Sequence, residues 1–243
     1  MNIETENTAV ALTFAEGELA ENVYARYTRE LKQNFEGIGA LQRLSLQKNR
    51  LEGVNPYNAV LVNSLANSLG YQLASQAELE ANIRGGKYLI GTREFTGLIS
   101  RPNIESKPES HVAKSLRNQF FHHPNFAGRG NSDESVFILL RDLDLIRDDS
   151  GEEGLSFKLK ENASLYFGSK LLNKTGNFCS QDVDLITGLP YRVGKGDRTF
   201  YSSLDPLSSV CLSWSLSVNA DGHGLIPSKD YDQYSRRALV RLK

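Results

Sequence analysis

Basic side chains are concentrated between positions 84 and 117 of this chain. The stretch contains seven basic and three acidic side chains, interleaved with Tyr88, Phe95 and several glycines. Because Lys and Arg neutralise phosphates, aromatic rings stack on bases and glycines allow close approach, the pattern is typical of a nucleic-acid surface. The whole chain of 243 residues has a net charge of -1, which excludes a polybasic binder but not a local basic groove. A basic face that is merely solvated explains the same pattern equally well.

The tripeptide Gly194-Lys195-Gly196 offers a further basic contact. It is too short for a P-loop and follows no clear strand, but a flexible lysine between two glycines suits a phosphate backbone. We therefore predict a nucleic-acid interface that consists of seven basic side chains and one aromatic ring: Arg84, Lys87, Tyr88, Arg93, Arg101, Lys114, Arg117 and Lys195.

Acidic side chains suggest a different chemistry around positions 142–153. Alternation along a predicted strand places Asp142 and Asp144 on one face, where two carboxylates could hold Mg²⁺ beside Lys158 or Lys160. A metal-dependent nuclease uses such groups, but the strand with the lysines lacks an acidic residue two positions before a lysine. We therefore favour a solvated strand edge and predict that the protein is not an enzyme.

Metal, thiol and cofactor sites are not indicated by the remaining residues. The four histidines lack the spacing of a metal site, and the adjacent His122 and His123 would point to different faces of any regular element. Neither Cys179 nor Cys211 has a nucleophile motif around it. The chain shows no signal-peptide pattern and no long apolar run. We therefore expect a cytoplasmic protein with reduced thiols, no membrane contact, no bound metal and no cofactor.

Apolar periodicity and capping residues predict that the first third of the chain is helical. Asn55 before Pro56 and the pair Ser75 and Glu78 are signals for helix N-termini. A fourth periodic segment is entered at Pro108 and ends before Pro124. The predicted helices cover residues 16–35, 56–69, 75–83 and 107–121.

After Lys87 the sequence becomes rich in β-branched and aromatic residues. The predicted strands cover residues 87–101, 135–148, 155–167, 208–218 and 236–242. The first of them is expected to contain a bulge or to form a short hairpin. We expect 135–148 to be one continuous central strand that pairs antiparallel with the next, and 168–206 to be a long connection. The predicted fold class is α+β, with a helical N-terminal layer packed on a mainly antiparallel sheet. The helical region at 1–85 and the α+β sheet region at 86–243 are expected to form one continuous domain.

Two segments carry a family resemblance. Residues 80–93 read EANIRGGKYLIGTR, in which a helix end and a Gly-Lys-aromatic-Leu step lead to an arginine and a strand. Residues 210–230 combine an alternating strand, an Asp-Gly turn and the step Pro227-Ser228. The two segments resemble the backbone subunit of type I-F CRISPR surveillance complexes, a member of the repeat-associated (RAMP) family. The tryptophan of that family's first passage is replaced here by Leu89 or Ile90.

The resemblance implies a modified RNA-recognition (ferredoxin-like) fold whose subunits line a single-stranded guide RNA. It implies that Arg84, Lys87, Tyr88 and Arg93 lie at or near the RNA, with Arg and Lys holding phosphates while the bases stay free to pair with a target. The leading hypothesis is a non-enzymatic RNA-binding subunit of a CRISPR-type antiviral defence ribonucleoprotein, with guide RNA and other protein subunits as partners.

Two alternatives remain. The near-zero net charge and the amphipathic first helix also suit a protein-interaction factor of phage origin that inhibits or mimics such a complex. The metal-dependent nuclease is the third hypothesis, because its acidic pattern is generic.

Overall fold

The structure is a computed structural model that describes residues 10–85, 94–100, 111–126, 135–151, 153–168, 175–200, 213–218, 224–228 and 238–241. The helices in these segments are α1 (Gly17–Asn34), α2 (Pro56–Asn67), α3 (Gln76–Arg84) and α4 (His111–Phe121). The strands of the first half are β1 (Leu12–Phe14), β2 (Ser45–Gln47), β3 (Arg50–Glu52), β4 (Tyr71–Leu73), β5 (Glu94–Ser100) and β6 (Ser135–Leu139). Those of the second half are β7 (Leu143–Arg147), β8 (Leu155–Leu159), β9 (Leu165–Gly168), β10 (Gly176–Phe178), β11 (Arg198–Phe200), β12 (Ser213–Val218), β13 (Gly224–Ser228) and β14 (Ala238–Arg241).

The predicted α+β class is confirmed, and the sheets are mainly antiparallel. The largest sheet has seven strands in the order β10-β11-β13-β12-β5-β6-β9, in which only β11 and β13 pair in parallel. A three-stranded sheet has the order β1-β14-β4, and β2–β3 and β7–β8 form two separate hairpins. Helix α4 connects β5 to its antiparallel neighbour β6. This part of the strand order therefore departs from the β-α-β crossovers of a plain ferredoxin-like unit.

The helices predicted from capping signals are confirmed. Asn55 accepts a hydrogen bond from the backbone of Asn58 at 3.0 Å, and the Asn58 side chain accepts one from the Asn55 backbone at 2.8 Å. Ser75 and Glu78 form the same reciprocal pair at the start of α3. These contacts satisfy backbone N–H groups that have no partner within the helix. The predicted beginning of α4, at 107–110, lies outside the described residues.

The prediction of one continuous strand at 135–148 is wrong. β6 stays in the large sheet, a 3₁₀ turn follows at Leu140–Asp142, and β7 leaves that sheet to pair with β8. The turn is held by polar contacts from distant segments, since the Arg141 carbonyl accepts from Lys160 Nζ at 2.7 Å and the Arg141 guanidinium donates to Glu78 at 3.2 Å. The predicted antiparallel pairing of the next segment is confirmed, with Leu145 opposite Phe157.

The bulge predicted in the strand after Lys87 is confirmed within β5. Gly97 lies opposite Leu216 and Phe95 lies opposite Ser217, so Thr96 is the additional residue. The bulge allows Phe95 to remain in the hydrophobic core while the Thr96 hydroxyl donates to Gln76 on α3 at 2.8 Å. Residues 86–93 lie outside the described part of the chain.

Both faces of the large sheet are covered. Val136 and Ile138 of β6 belong to a core that also contains buried side chains of α1, α2 and α4. Phe137 and Leu139, which point to the other face because strand residues alternate, belong to a second core with α3. The sheet therefore separates α4 from α3, and this separation matters for the placement of the basic residues.

The last strand joins the two halves of the chain. β14 lies between β1 and β4, so residues 238–241 complete a sheet whose other strands come from the N-terminal region. The predicted connection at 168–206 also differs in detail, because it contains the short strands β10 and β11. Among the described residues, no helix has the length and apolar character required to cross a membrane.

Candidate nucleic-acid interface

The structure describes four of the predicted contact residues. Arg84 is the half-buried last residue of α3, and Lys195 is exposed between β10 and β11. Lys114 is exposed and Arg117 half-buried on α4, where their spacing of three residues places them on one side of the helix. The remaining predicted contacts lie outside the described residues: Lys87, Tyr88, Arg93 and Arg101.

These residues do not form one continuous surface. Leu79 and Ile83 of α3 pack in the core that also contains Phe178 of β10 and is contacted by Val193 of the β10–β11 segment, so α3 and this segment pack on the same side of the large sheet. Val112 and Leu116 of α4 pack in the core on the opposite face of the sheet. The structure therefore places Lys114 and Arg117 in a different layer from Arg84 and Lys195, a separation that linear charge density cannot reveal.

Lys195 lies in a loop that is anchored along its length. We call Tyr191–Gly196, with the sequence YRVGKG, the basic loop. The Gly194 N–H donates to the Asn177 carbonyl at 2.7 Å. Gly196 has a φ of 152°, and a Cβ atom there would lie 2.0 Å from the Phe178 carbonyl oxygen. Only glycine fits this close approach, so the backbone of the loop is fixed against β10.

Two residues of the basic loop were not among the predicted contacts. Tyr191 and Arg192 are both exposed, and the Arg192 guanidinium lies 5.9 Å from the centroid of the Tyr191 ring. Arg192 also pairs with the Asp182 carboxylate at 2.6 Å. A basic residue beside an aromatic one, separated from Gly-Lys-Gly only by Val193, was the sequence signal that could have identified them.

The Asp182–Arg192 pair keeps both groups charged. The hydrogen bond and the charge of Arg192 lower the pKa of Asp182, and those of Asp182 raise the pKa of Arg192. Because the Arg192 side chain is exposed, the pair adds little to the free energy of unfolding, and its main effect is on the position of the side chain. It restrains the long Arg192 side chain beside the Tyr191 ring.

A buried ion pair lies behind the basic loop. The Arg198 guanidinium donates to both carboxylate oxygens of Glu80, and the two side chains are 2% and 0% exposed. Gln76 donates to the same carboxylate at 2.8 Å, and the guanidinium lies 4.7 Å from the centre of the Phe178 ring. These contacts join β11 to α3. Their burial makes the pair a structural anchor for the loop and leaves it inaccessible to a ligand.

The acidic side chains considered for a nuclease do not share a strand face. The Asp142 carboxylate lies in the 3₁₀ turn and accepts from the Ser164 backbone at 3.2 Å, and burial raises the pKa of Asp142. Asp144 lies in β7, 3.8 Å from Lys160 Nζ. Within the segments that the structure describes, no group of three or more His, Cys, Asp or Glu side chains is placed to hold a metal ion.

The histidines of α4 make individual contacts. His111 Nε2 lies 2.6 Å from the Asp148 carboxylate, while His122 and His123 each contact a backbone carbonyl. A hydrogen bond from Ser150 and another from His111 lower the pKa of Asp148. The His111 and His123 contacts fasten α4 and the residues that follow it to the hairpin β7–β8 and to the segment before β9, whereas the His122 contact is to Asn118 within α4.

No protein-family model, curated protein or solved structure matches this chain.

Proposed function

We propose that this protein is a non-enzymatic RNA-binding subunit of a CRISPR-type defence ribonucleoprotein. In this proposal it holds a single-stranded guide RNA through the backbone phosphates. The observation that carries the proposal is the basic loop, where Arg192 and Lys195 are exposed on a backbone fixed by Gly194 and Gly196. A loop that is ordered before binding loses less conformational entropy when it meets its ligand.

Two strand pairings support the family-specific part of the proposal, although the connection from β5 through α4 to β6 departs from a plain ferredoxin-like unit. The passage at 80–93 begins within α3 and ends immediately before β5, and the second segment contains β12 and β13. β5 pairs with β12, and β12 pairs with β13. The strand that follows the first segment therefore pairs with a strand of the second segment, although the two segments are distant in sequence.

The proposed contacts follow from this arrangement. Lys195 and Arg192 bind phosphates from the basic loop, and Arg84 contributes a separate positive charge at the end of α3. Lys87, Tyr88, Arg93 and Arg101 stay in the proposal as contacts from the segments on either side of β5. Lys114 and Arg117 lie in the layer on the opposite face, so we assign them at most a separate contact.

The proposal is tested by measuring the affinity for an unstructured RNA of about 12 nucleotides by fluorescence anisotropy at low salt. The double variant Arg192→Glu with Lys195→Glu should bind about tenfold more weakly or worse, because it removes charge-assisted contacts. The slope of log K against log salt should fall by about 0.7 for each phosphate that the variant no longer neutralises.

The matched control is Arg29→Glu with Lys32→Glu, which makes the same charge change at two exposed positions of α1. It should bind RNA nearly as tightly as the wild type. Equal losses in the two double variants would show that only net charge matters, and would contradict a defined site on the basic loop.

The protein-interaction factor is favoured by one specific observation. Leu185 and Ile186, at the turn that precedes the basic loop, are 55% and 66% exposed. Exposed large apolar side chains that adjoin each other are more typical of a protein contact than of a solvated turn. In that case Leu185→Ser with Ile186→Ser should abolish co-purification with a protein partner and leave the affinity for RNA unchanged.

A further inference from the structure

The side chain of Tyr191 is held in place although half of it is exposed. Its exposure is 49%. The hydroxyl lies 3.4 Å from the Gln181 carbonyl and 3.4 Å from the Asp182 carboxylate, and the Tyr191 N–H donates to the Asp182 carbonyl at 3.0 Å. The ring is therefore restrained at its polar end while much of its apolar surface faces solvent.

The positive charges that follow this ring in the sequence belong to the same short loop. Arg192 lies next to the ring and is fixed by Asp182, and the exposed Lys195 follows three residues later. Within residues 191–196 both charged side chains are positive. A nucleotide presents a flat base and an anionic phosphate separated by a sugar, so a fixed ring beside a fixed guanidinium complements it.

From this geometry we infer that Tyr191, Arg192 and Lys195 form a subsite that stacks one unpaired base and binds the phosphates on either side of it. This inference rests on the proposed function and makes it more specific. Stacking needs an accessible base face, so the subsite takes single-stranded nucleic acid and not a duplex, whose base faces are covered by their neighbours. Asp182 acts as a positioning residue, because it holds Arg192 and does not itself contact the ligand.

A nucleic acid fits this position better than a protein segment does. A protein partner that used Tyr191 would have to supply acidic groups for Arg192 and Lys195, and the apolar tip at Leu185 and Ile186 would be its natural contact. The ring and the two positive charges are instead together on the anchored part of the loop.

The test compares Tyr191→Leu with Tyr191→Phe, using the unstructured RNA described above and a blunt duplex of the same sequence. Tyr191→Leu should weaken single-strand binding by about 5- to 150-fold, the usual range when one base–aromatic stack is removed. Tyr191→Phe keeps the stacking ring but loses the hydroxyl contacts, so it should retain most of the wild-type affinity and bind more tightly than Tyr191→Leu. Affinity for the duplex should be the same in all three proteins. Circular dichroism melting checks that the exposed substitutions leave the fold intact.

The other outcomes separate the subsite from the proposed function. If Tyr191→Leu binds single-stranded RNA as the wild type does, while the Arg192 and Lys195 double variant loses binding, the stacking subsite is wrong and the proposed function stands. If Tyr191→Leu weakens single-strand and duplex binding equally, the ring has a structural role only and the subsite is again wrong. If the wild type binds neither probe, both proposals fail.

Discussion

Glu80 and Arg198 show how one pair of residues can determine the position of a distant loop. The pair is fully buried and joins α3 to β11, two residues after the basic loop ends. Burying a charge is costly unless it is paired and hydrogen bonded, and here Gln76 supplies an additional donor to Glu80. The pair therefore specifies how β11 is placed against the helix.

Replacing only one member of this pair should be severely destabilising. Arg198→Leu should lower the free energy of unfolding by about 3–5 kcal/mol, because it leaves the Glu80 carboxylate buried without its partner. Urea unfolding measures the loss, and the double variant with Glu80→Leu should recover much of it. Arg192→Leu, which breaks the exposed pair with Asp182, should unfold close to the wild-type midpoint. A similar loss in both single variants would contradict the assignment of Glu80–Arg198 as the structural pair.

Two glycines of the basic loop provide a matched comparison. Gly196→Ala should be destabilising by more than about 1 kcal/mol, because the backbone has a positive φ and the new Cβ would collide with the Phe178 carbonyl. Gly194→Ala should be well tolerated, since nothing lies within 4 Å of the position of its Cβ. The urea midpoint and the RNA affinity should both fall in Gly196→Ala, and both should stay unchanged in Gly194→Ala. The reverse order would show that the loop is not anchored as described.

At the scale of elements, the hairpin β7–β8 and the turn that precedes it contain two aspartates with opposite electrostatics. Asp148 is stabilised as an anion by Ser150 and His111, which lowers its pKa. Asp142 is partly buried, which raises its pKa above the ordinary value of 3.8. The first should stabilise the folded state when ionised, and the second should oppose folding when ionised.

These directions predict opposite responses to pH. Asp148→Asn should lower stability near pH 7, and the deficit should vanish as the pH falls through and below 3.8, where the wild type also loses its anion. Asp142→Asn should raise stability near pH 7, and the gain should shrink as acidification protonates the wild-type carboxyl at its raised pKa. Urea midpoints from pH 7 to about pH 3 test both signs. Parallel profiles for the two variants would contradict the assignment.

The helices and strands differ in how well the sequence predicts where they begin and end. Helices α2 and α3 were predictable because Asn55, Ser75 and Glu78 make local contacts that define where the helices begin. The break after β6 was not predictable, because it depends on contacts from Glu78 and Lys160, which are distant in sequence from Arg141. The apolar run at 136–140 and the alternation that starts at Leu143 together resemble a single strand, so the hydrophobic pattern did not predict the break.

The candidate site was only partly predictable, because some of its residues depend on contacts that are distant in sequence. Lys195 was identified because glycines flank it, whereas Tyr191 and Arg192 gain their importance from Asp182 and from the anchoring of the loop on β10. Density of positive charge also grouped Lys114 with Arg84, although a two-sided sheet lies between their helices. Spacing in a sequence shows neither a distant partner nor the face of a sheet on which a helix lies.

For the whole molecule, the position of β14 predicts cooperative unfolding. The strand joins β1 and β4, and the core on one face of the large sheet includes residues from both halves of the chain. Far-ultraviolet circular dichroism reports on the helices, and the single tryptophan, Trp214, lies in β12 of the large sheet. The two signals should have the same urea midpoint. Separate midpoints would show that the helical region and the sheet region unfold independently.

The central claim, that this protein binds single-stranded RNA, is tested most directly by the ratio of absorbance at 260 and 280 nm in purified protein. The ratio is measured before and after a high-salt wash. If the protein binds single-stranded RNA, the initial ratio should be high and the wash should lower it, because phosphate contacts weaken as salt rises, and the released material should be single-stranded RNA. A low ratio before the wash, together with no binding of the unstructured RNA at low salt, would contradict it.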